Sequence, residues 1–188
     1  MTTEAFPFKP AKAIQAAAVL LDRERSRQMS AYRLLKLLYL ADRSHLERTG
    51  RPIVGGRMVA TNAGPLHSAV YDLVKGTHPA YAGWSDYFHV EGRNIEMRQH
   101  PGNGELSKRE IQSLLDIAKQ FEEQDDDQLG AITHGLREYK EYFRHDTSTT
   151  IPLASLVDAI GCADVRDAIL QDAQAVRTLD TMFGGQNR

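Results

Sequence analysis

The stretch KLLYLADRSHLERTGRP, residues 36–52, decides the fold of this chain. With the preceding residues 31–35, it places apolar side chains within an arc of about 120° at helical spacing, and further apolar residues flank that arc. Gly50 is the residue type that ends helices, and Pro52 prevents a helix from continuing. Ser30 can cap the first turn. The pattern therefore predicts a central helix that is apolar nearly all round.

Outside this helix, the sequence predicts a predominantly helical α+β domain with a small antiparallel β element. Period-two alternation on both sides of residues 91–94 predicts a β-hairpin. Ser107 and Glu110 form a capping-box signature before a further amphipathic helix. Pro65 is expected to open a helix that ends near Gly76.

The C-terminal half predicts more helices. Residues 127–143 are expected to form one helix, and a last helix begins at Asp164. We predict a compact domain over residues 1–163, with a helical extension over residues 164–188 packed on it. The apolar side of this extension consists of Val165, Ile169, Val176, Leu179 and Phe183.

Length and composition limit the class of protein. The chain has 188 residues, of which 41% are hydrophobic and 26% charged, and its formal charge is −2. A chain of this size can bury about 70% of its unfolded surface in one domain. The acidic balance counts against nucleic acid as a partner. Without an apolar run of about 18 residues or a secretory pattern, we expect a cytoplasmic protein with no membrane partner.

The residues that could carry chemistry form no recognisable site. His67, His78, His89 and His100 recur every eleven residues, but the predicted turns and hairpin keep them off any single helix face. The sequence contains neither HExxH nor CxxC, and its single cysteine, Cys162, is expected to be a packing residue. The sequence therefore predicts no catalytic, metal-binding or cofactor-binding residues, and no enzyme.

Two features suggest a surface for a protein partner. Arg33, Lys36 and Arg43 share one face of the central helix with Leu40 in their midst, which would give an apolar centre with a charged rim. The alternative is a stripe whose leucine is covered by a neighbouring helix. Trp84 and Tyr87 belong to an aromatic segment that suits either hairpin packing or an interface.

A third feature is acidic. Residues 122–127 hold five acids in six positions, which is typical of a solvated loop whose last aspartate caps the next helix. The alternative is that this charge steers a basic partner, because clustered charge accelerates association.

The chain resembles the Panacea family, also called SocA-like antitoxins, whose members are often described as phage-associated proteins. The resemblance extends over residues 11–160. The residues that carry it are Lys36, Leu37, Tyr39, His45, Gly64, Pro65, Val70, Tyr71, Thr133 and His134. The chain departs from the family where tryptophans commonly precede the Gly-Pro pair and follow the Thr-His pair.

The resemblance implies an antitoxin that neutralises a separately encoded toxin by binding it. An adaptor role, with an ATP-dependent protease as second partner, is also implied by the family. The alternative functions are a nucleic-acid-binding transcriptional regulator, suggested by Arg33, Lys36 and Arg43, and a hydrolase that uses dispersed histidines and aspartates. The resemblance implies no cofactor.

Overall fold

The computed structural model describes residues 5–183. Residues 1–4 of the predicted domain and residues 184–188 of the predicted helical extension lie outside the described residues. The described helices are α1 (Pro10–Leu21), α2 (Ala31–Thr49), α3 (Ser68–Lys75), α4 (Tyr81–Ser85), α5 (Lys108–Gln120), α6 (Asp126–His134), α7 (Arg137–Tyr142), α8 (Leu153–Ala159) and α9 (Arg166–Phe183). A 3₁₀ turn, Ala163–Val165, precedes α9. The described strands are β1 (Gln28–Ser30), β2 (Met58–Thr61), β3 (Gly64–His67), β4 (Phe88–Glu91), β5 (Asn94–Met97) and β6 (Thr149–Thr150). These elements form the predominantly helical α+β fold that the sequence predicts.

Helix α2 lies at the centre of the molecule, as predicted. It begins where the Ser30 hydroxyl accepts a hydrogen bond from the Arg33 amide, and it ends at Gly50, whose φ of 75° is left-handed. Its residues 34–42 are all buried, so the nearly continuous apolar circumference read from the sequence reflects contacts on every side. Helices α1 and α5 pack on it, and so does strand β3.

The strands form two antiparallel sheets of three strands each within the described residues. In the first, β4 and β5 form the predicted hairpin, with Phe88 opposite Met97. Strand β1, which the sequence analysis did not predict, pairs with β5. In the second sheet β2 lies between β3 and β6.

The second sheet corrects the expectation for Pro65. This residue does not open a helix but lies in β3 opposite Ala60, and the helix begins only at Ser68. Gly64 has a φ of 94°, which lets the chain reverse directly from β2 into β3. The Gly-Pro pair therefore belongs to a β-hairpin, whereas the helix that follows ends at Gly76 as expected.

Residues 127–143 form two helices rather than one. Helix α6 ends at His134, Leu136 is extended, and α7 begins at Arg137. Gly135 has low helix propensity, and the break lets α7 turn Glu138 and Tyr139 into the core. The capping boxes at Ser107 and Asp125 satisfy the first amides of α5 and α6.

Helix α9 buries less of its apolar side than predicted. Ile169 and Ala173 are buried in the cluster that includes α8. Val165, Leu179 and Phe183 are exposed, so the expectation that these residues pack on the domain is wrong. Of the helices in residues 5–183, none has both the length and the apolar character needed to cross a membrane.

Candidate functional site

The residues of the family resemblance converge on the β2–β3 hairpin. Lys36 is fully buried on α2, and its Nζ donates to the carbonyl oxygen of Pro65 at 2.9 Å. The same ammonium lies 5.0 Å from the centre of the Tyr32 ring. Burial lowers the pKa of Lys36 to about 7. The lysine therefore holds the hairpin against α2 and is not a surface charge.

Gly64 fits this hairpin because it has no side chain. A Cβ atom there would lie 2.8 Å from Nζ of Lys36 and 2.8 Å from Cδ2 of His134. The His134 ring stacks on Tyr139 with 4.8 Å between ring centres, and the Tyr139 hydroxyl donates to the Thr61 carbonyl at 3.0 Å. We call Lys36, Gly64, Pro65, His134 and Tyr139 the hairpin contact. It joins α2, the hairpin and the α6–α7 connection.

A buried carboxylate lies beside the hairpin contact. Glu138 is inaccessible to solvent, and its Oε1 accepts from the Tyr39 hydroxyl at 3.0 Å and from Arg43 Nε at 2.7 Å. Burial, reinforced by the negative charge of Glu138, raises the pKa of Tyr39 well above its usual value. This group links α2 to α7, so Arg43 is engaged inside the molecule.

A second buried carboxylate, Asp42, orders the segment after α2. It accepts hydrogen bonds from the amides of Ile53, Val54 and Gly55 at 2.9–3.3 Å. It also contacts Nε2 of His67 at 2.9 Å. A carboxylate can only accept, so His67 donates from Nε2. Asp42 therefore connects α2 to both the 53–55 segment and β3.

The remaining residues of the resemblance have varied surroundings. His45 is buried, with its Nδ1 at 2.8 Å from the Ser113 hydroxyl. Val70 and Leu37 are in the core, and the hydroxyl of the buried Thr133 donates to the Gly130 carbonyl. Tyr71 is 40% exposed. Of these residues, Tyr71 is thus the one that offers a large surface.

The structure corrects the predicted surface around Leu40. Leu40 is buried, Lys36 is buried, and Arg43 pairs with Glu138. Arg33 donates to the carbonyls of Phe121 and Gln124 at 2.7 and 2.6 Å. The stripe is therefore covered by neighbouring segments, which is the alternative that the sequence left open. The same contacts remove the exposed basic face that suggested a nucleic-acid-binding regulator.

The aromatic segment also faces inwards. Trp84 is fully buried against Phe88, with 4.4 Å between ring centres, and Tyr87 is half-buried on the same cluster. In the acidic run, the residue that caps α6 is Asp125 and not, as predicted, the last aspartate, and Asp126 accepts from the Ser30 hydroxyl. Trp84 thus presents no surface to a partner.

Sequence reasoning missed Asp42, His67, Glu138 and Tyr139 as parts of this network. One signal was available: Asp42 is a charged residue within an otherwise apolar helix segment. Buried charges need hydrogen-bond partners, and such a position therefore indicates a polar network. No comparable signal marks Glu138, because its surroundings alternate charged and aromatic residues.

The fold and this network define a helical scaffold protein whose central helix is joined to a Gly-Pro hairpin through buried polar groups. The family described as "Antitoxin SocA-like, Panacea domain" matches residues 34–139, which is more than half of the chain. The chain belongs to this SocA-like antitoxin family. The match is shorter than the resemblance over residues 11–160 but includes the whole hairpin contact. No curated protein and no solved structure matches the chain.

No group of three or more histidine, cysteine or acidic side chains among residues 5–183 is arranged to hold a metal ion. Cys162 is a free thiol that is partly buried.

Lys36→Met is expected to change the pH dependence of stability. The pKa of Lys36 is about 7 in the folded protein and has its ordinary value of 10.5 when the chain is unfolded. Between these values the unfolded state binds more protons, so the parent's free energy of unfolding rises with pH, by roughly 1.4 kcal/mol for each unit of pKa difference. Urea denaturation at pH 7 to 10 measures this increase, which Lys36→Met should lack.

The matched control is Lys140→Met, because Lys140 is exposed on α7. This control should keep the parent's pH dependence. Parallel stability profiles for the parent and Lys36→Met would contradict the assignment of a desolvated ammonium at this position.

Proposed function

We propose that this chain is an antitoxin that neutralises a separately encoded toxin by binding it directly, without catalysis of its own. The observation that carries the proposal is the family match over residues 34–139. It is supported by the gathering of Lys36, Gly64, Pro65 and His134 in one contact, because these residues of the resemblance are far apart in the sequence.

The toxin has to contact side chains that the scaffold leaves exposed. Large exposed apolar residues occur at the end of α9, where Leu179, Met182 and Phe183 are 53%, 66% and 70% exposed. Their i, i+3, i+4 spacing places them on one face of the helix. We call these three residues the α9 surface.

We place the toxin contact on the α9 surface. Exposed apolar side chains that adjoin one another are typical of protein interaction sites, because their burial in a complex removes apolar area from water. The surface lies outside residues 34–139, so its residues can suit one particular toxin without disturbing the hairpin contact.

The test is co-expression with the neighbouring reading frame as the candidate toxin. The parent should restore growth and copurify with the toxin. Leu179→Asp should weaken the complex at least tenfold, because it places a charge in a desolvated interface. Gln174→Asp is the matched control, since Gln174 is exposed on α9 but is not a residue of the α9 surface.

The outcomes separate the function from the surface. If no neighbouring product is toxic, or if the parent does not rescue growth, the antitoxin function is contradicted. If the parent rescues and Leu179→Asp rescues equally well, the function stands and the toxin contacts another surface. If Leu179→Asp only converts a dimer of the chain into a monomer, the α9 surface joins two copies.

Delivery of the toxin to an ATP-dependent protease is the second mechanism that the family resemblance suggests. It differs from direct neutralisation in the fate of the toxin. Under direct neutralisation a stable complex accumulates, whereas under delivery the toxin level falls after the antitoxin is induced. Immunoblotting of a tagged toxin after translation is stopped distinguishes the two mechanisms.

A further inference from the structure

A cleft of about 240 Å³ lies between the start of α1, the end of α2 and the start of α5. Its charged lining includes Lys9, Lys12, Arg51, Arg109 and Glu110, together with His45. A second cleft of about 300 Å³ also contains His45 and Arg109 in its lining. Val176 of α9 also lines the first cleft, but neither cleft is lined by a residue of the α9 surface or of the hairpin contact.

The charge of the first cleft is positive. Glu110 is its one acidic lining residue, and it is paired with Lys12 at 2.5 Å. Burial acts to raise the pKa of Glu110, but the hydrogen bonds from Lys12 and Ser107 hold that pKa below its usual value. Arg51 is paired with Asp172. Lys9 and Arg109 are exposed, and neither has an ion pair within the described residues.

The largely buried side chain of His45 presents a ring nitrogen to this cleft. The Ser113 hydroxyl donates to the Arg109 carbonyl at 3.0 Å and therefore accepts from Nδ1 of His45 at 2.8 Å. The other ring nitrogen, Nε2, has no hydrogen-bond partner among residues 5–183. The side chain is only 5% exposed and lines both clefts. A ring nitrogen in the wall of a cleft that bonds to no protein group can bond to a ligand atom.

We propose that this cleft binds a small anion that carries a phosphate or pyrophosphate group. The unpaired guanidinium of Arg109 and ammonium of Lys9 supply charge-assisted donors, and a planar guanidinium can bind two phosphate oxygens at once. The cleft volume suits a phosphate group or two rather than a protein segment.

Binding of the anion is coupled to a proton at His45. Burial lowers the pKa of His45, Glu110 and Asp42 act to raise it, and Arg48 and Arg109 act to lower it. The neutral ring therefore offers Nε2 as an acceptor. A bound anion stabilises the imidazolium, so sulfate, which does not titrate between pH 6 and 8, should bind more tightly as pH falls through this range.

The experiment is calorimetric titration of the full chain with sodium pyrophosphate, at constant ionic strength and without any toxin. Arg109→Gln and Lys9→Gln should each weaken binding about tenfold, which is the equivalent of one lost charge-assisted bond. Arg137→Gln is the matched control, because Arg137 is exposed on α7 and does not line the cleft. It should bind like the parent.

Further arms identify the source of the phosphate group. Tighter binding of ADP than of pyrophosphate indicates a nucleotide, whereas exclusion of ADP indicates a free anion. Absence of pyrophosphate binding at millimolar concentrations would overturn the proposal. The proposal would also be overturned if Arg137→Gln weakened pyrophosphate binding as much as Arg109→Gln does, because the attraction would then be unspecific. An unchanged ring signal of His45 in NMR spectra with pyrophosphate present would also overturn it. None of these results depends on whether the chain is an antitoxin.

Discussion

Gly64→Ala is expected to lower the free energy of unfolding by about 2–5 kcal/mol, from a strained backbone and an overpacked contact together. The φ of 94° at this position is unfavourable for any residue with a Cβ atom. That atom would also lie 2.8 Å from Nζ of Lys36 and from Cδ2 of His134. Lys36 is buried and bonded to Pro65, and His134 is stacked on Tyr139, so neither can move away easily.

Gly102→Ala separates the two contributions. Gly102 has a φ of 80°, but a Cβ atom there meets no other atom within 4 Å. This control should therefore lose only the backbone part, about 1–2 kcal/mol. Urea denaturation of both variants measures the difference. Equal losses at the two positions would contradict the close approach of α2, the hairpin and α6 at Gly64.

Asp42→Ala is expected to destabilise the fold by about 3–5 kcal/mol, the cost of leaving several buried donors without an acceptor. The substitution removes the acceptor of the amides of Ile53, Val54 and Gly55, and that of His67 Nε2. Asp42 is 1% exposed, so water cannot replace the carboxylate without opening the core. Hydrogen exchange at these three amides should accelerate together with the loss of stability.

Asp42→Asn should have an intermediate effect. The asparagine side chain keeps one accepting oxygen, but its NH₂ group replaces the oxygen that accepts from the Gly55 amide. Two donors would then face each other. Asp116→Ala is the control, because Asp116 is exposed and bonds to Gln112 and Arg48 at the surface. It should change stability little, because ion pairs at the surface contribute little to stability. If Asp42→Ala were no worse than Asp116→Ala, the buried network would not stabilise the fold.

Both predictions concern residues that connect α2 to segments distant in the sequence. The hairpin contact and Asp42 lie within residues 34–139, the part of the chain that matches the antitoxin family. Their role in the structure is to hold the scaffold together. The α9 surface lies outside that match, whereas the first cleft combines residues of the match, His45 and Arg109 among them, with Lys9 and Lys12 from the segment before it.

Local features were predictable from the sequence. The Ser30 cap, the Gly50 stop, the Ser107–Glu110 capping box and the hairpin around residues 91–94 are confirmed. Each depends on hydrogen bonds or turns between residues at most a few positions apart, so the sequence contains the whole interaction. The family resemblance was also recognisable from the sequence, because it depends on residue identity and order.

The tertiary structure alone decided which polar residues of α2 are buried. The spacing of the sequence places Lys36 and Arg43 on the charged side of the helix. In the structure, Lys36 binds the Pro65 carbonyl of the hairpin, and Arg43 binds the Glu138 carboxylate of α7. Periodicity identifies a helix face but not the element that covers it. The contact between Arg43 and Glu138 spans 95 residues, and Leu40 is covered by the same long-range packing. Such pairings are determined by how all the elements pack together, because no local hydrogen bond specifies them.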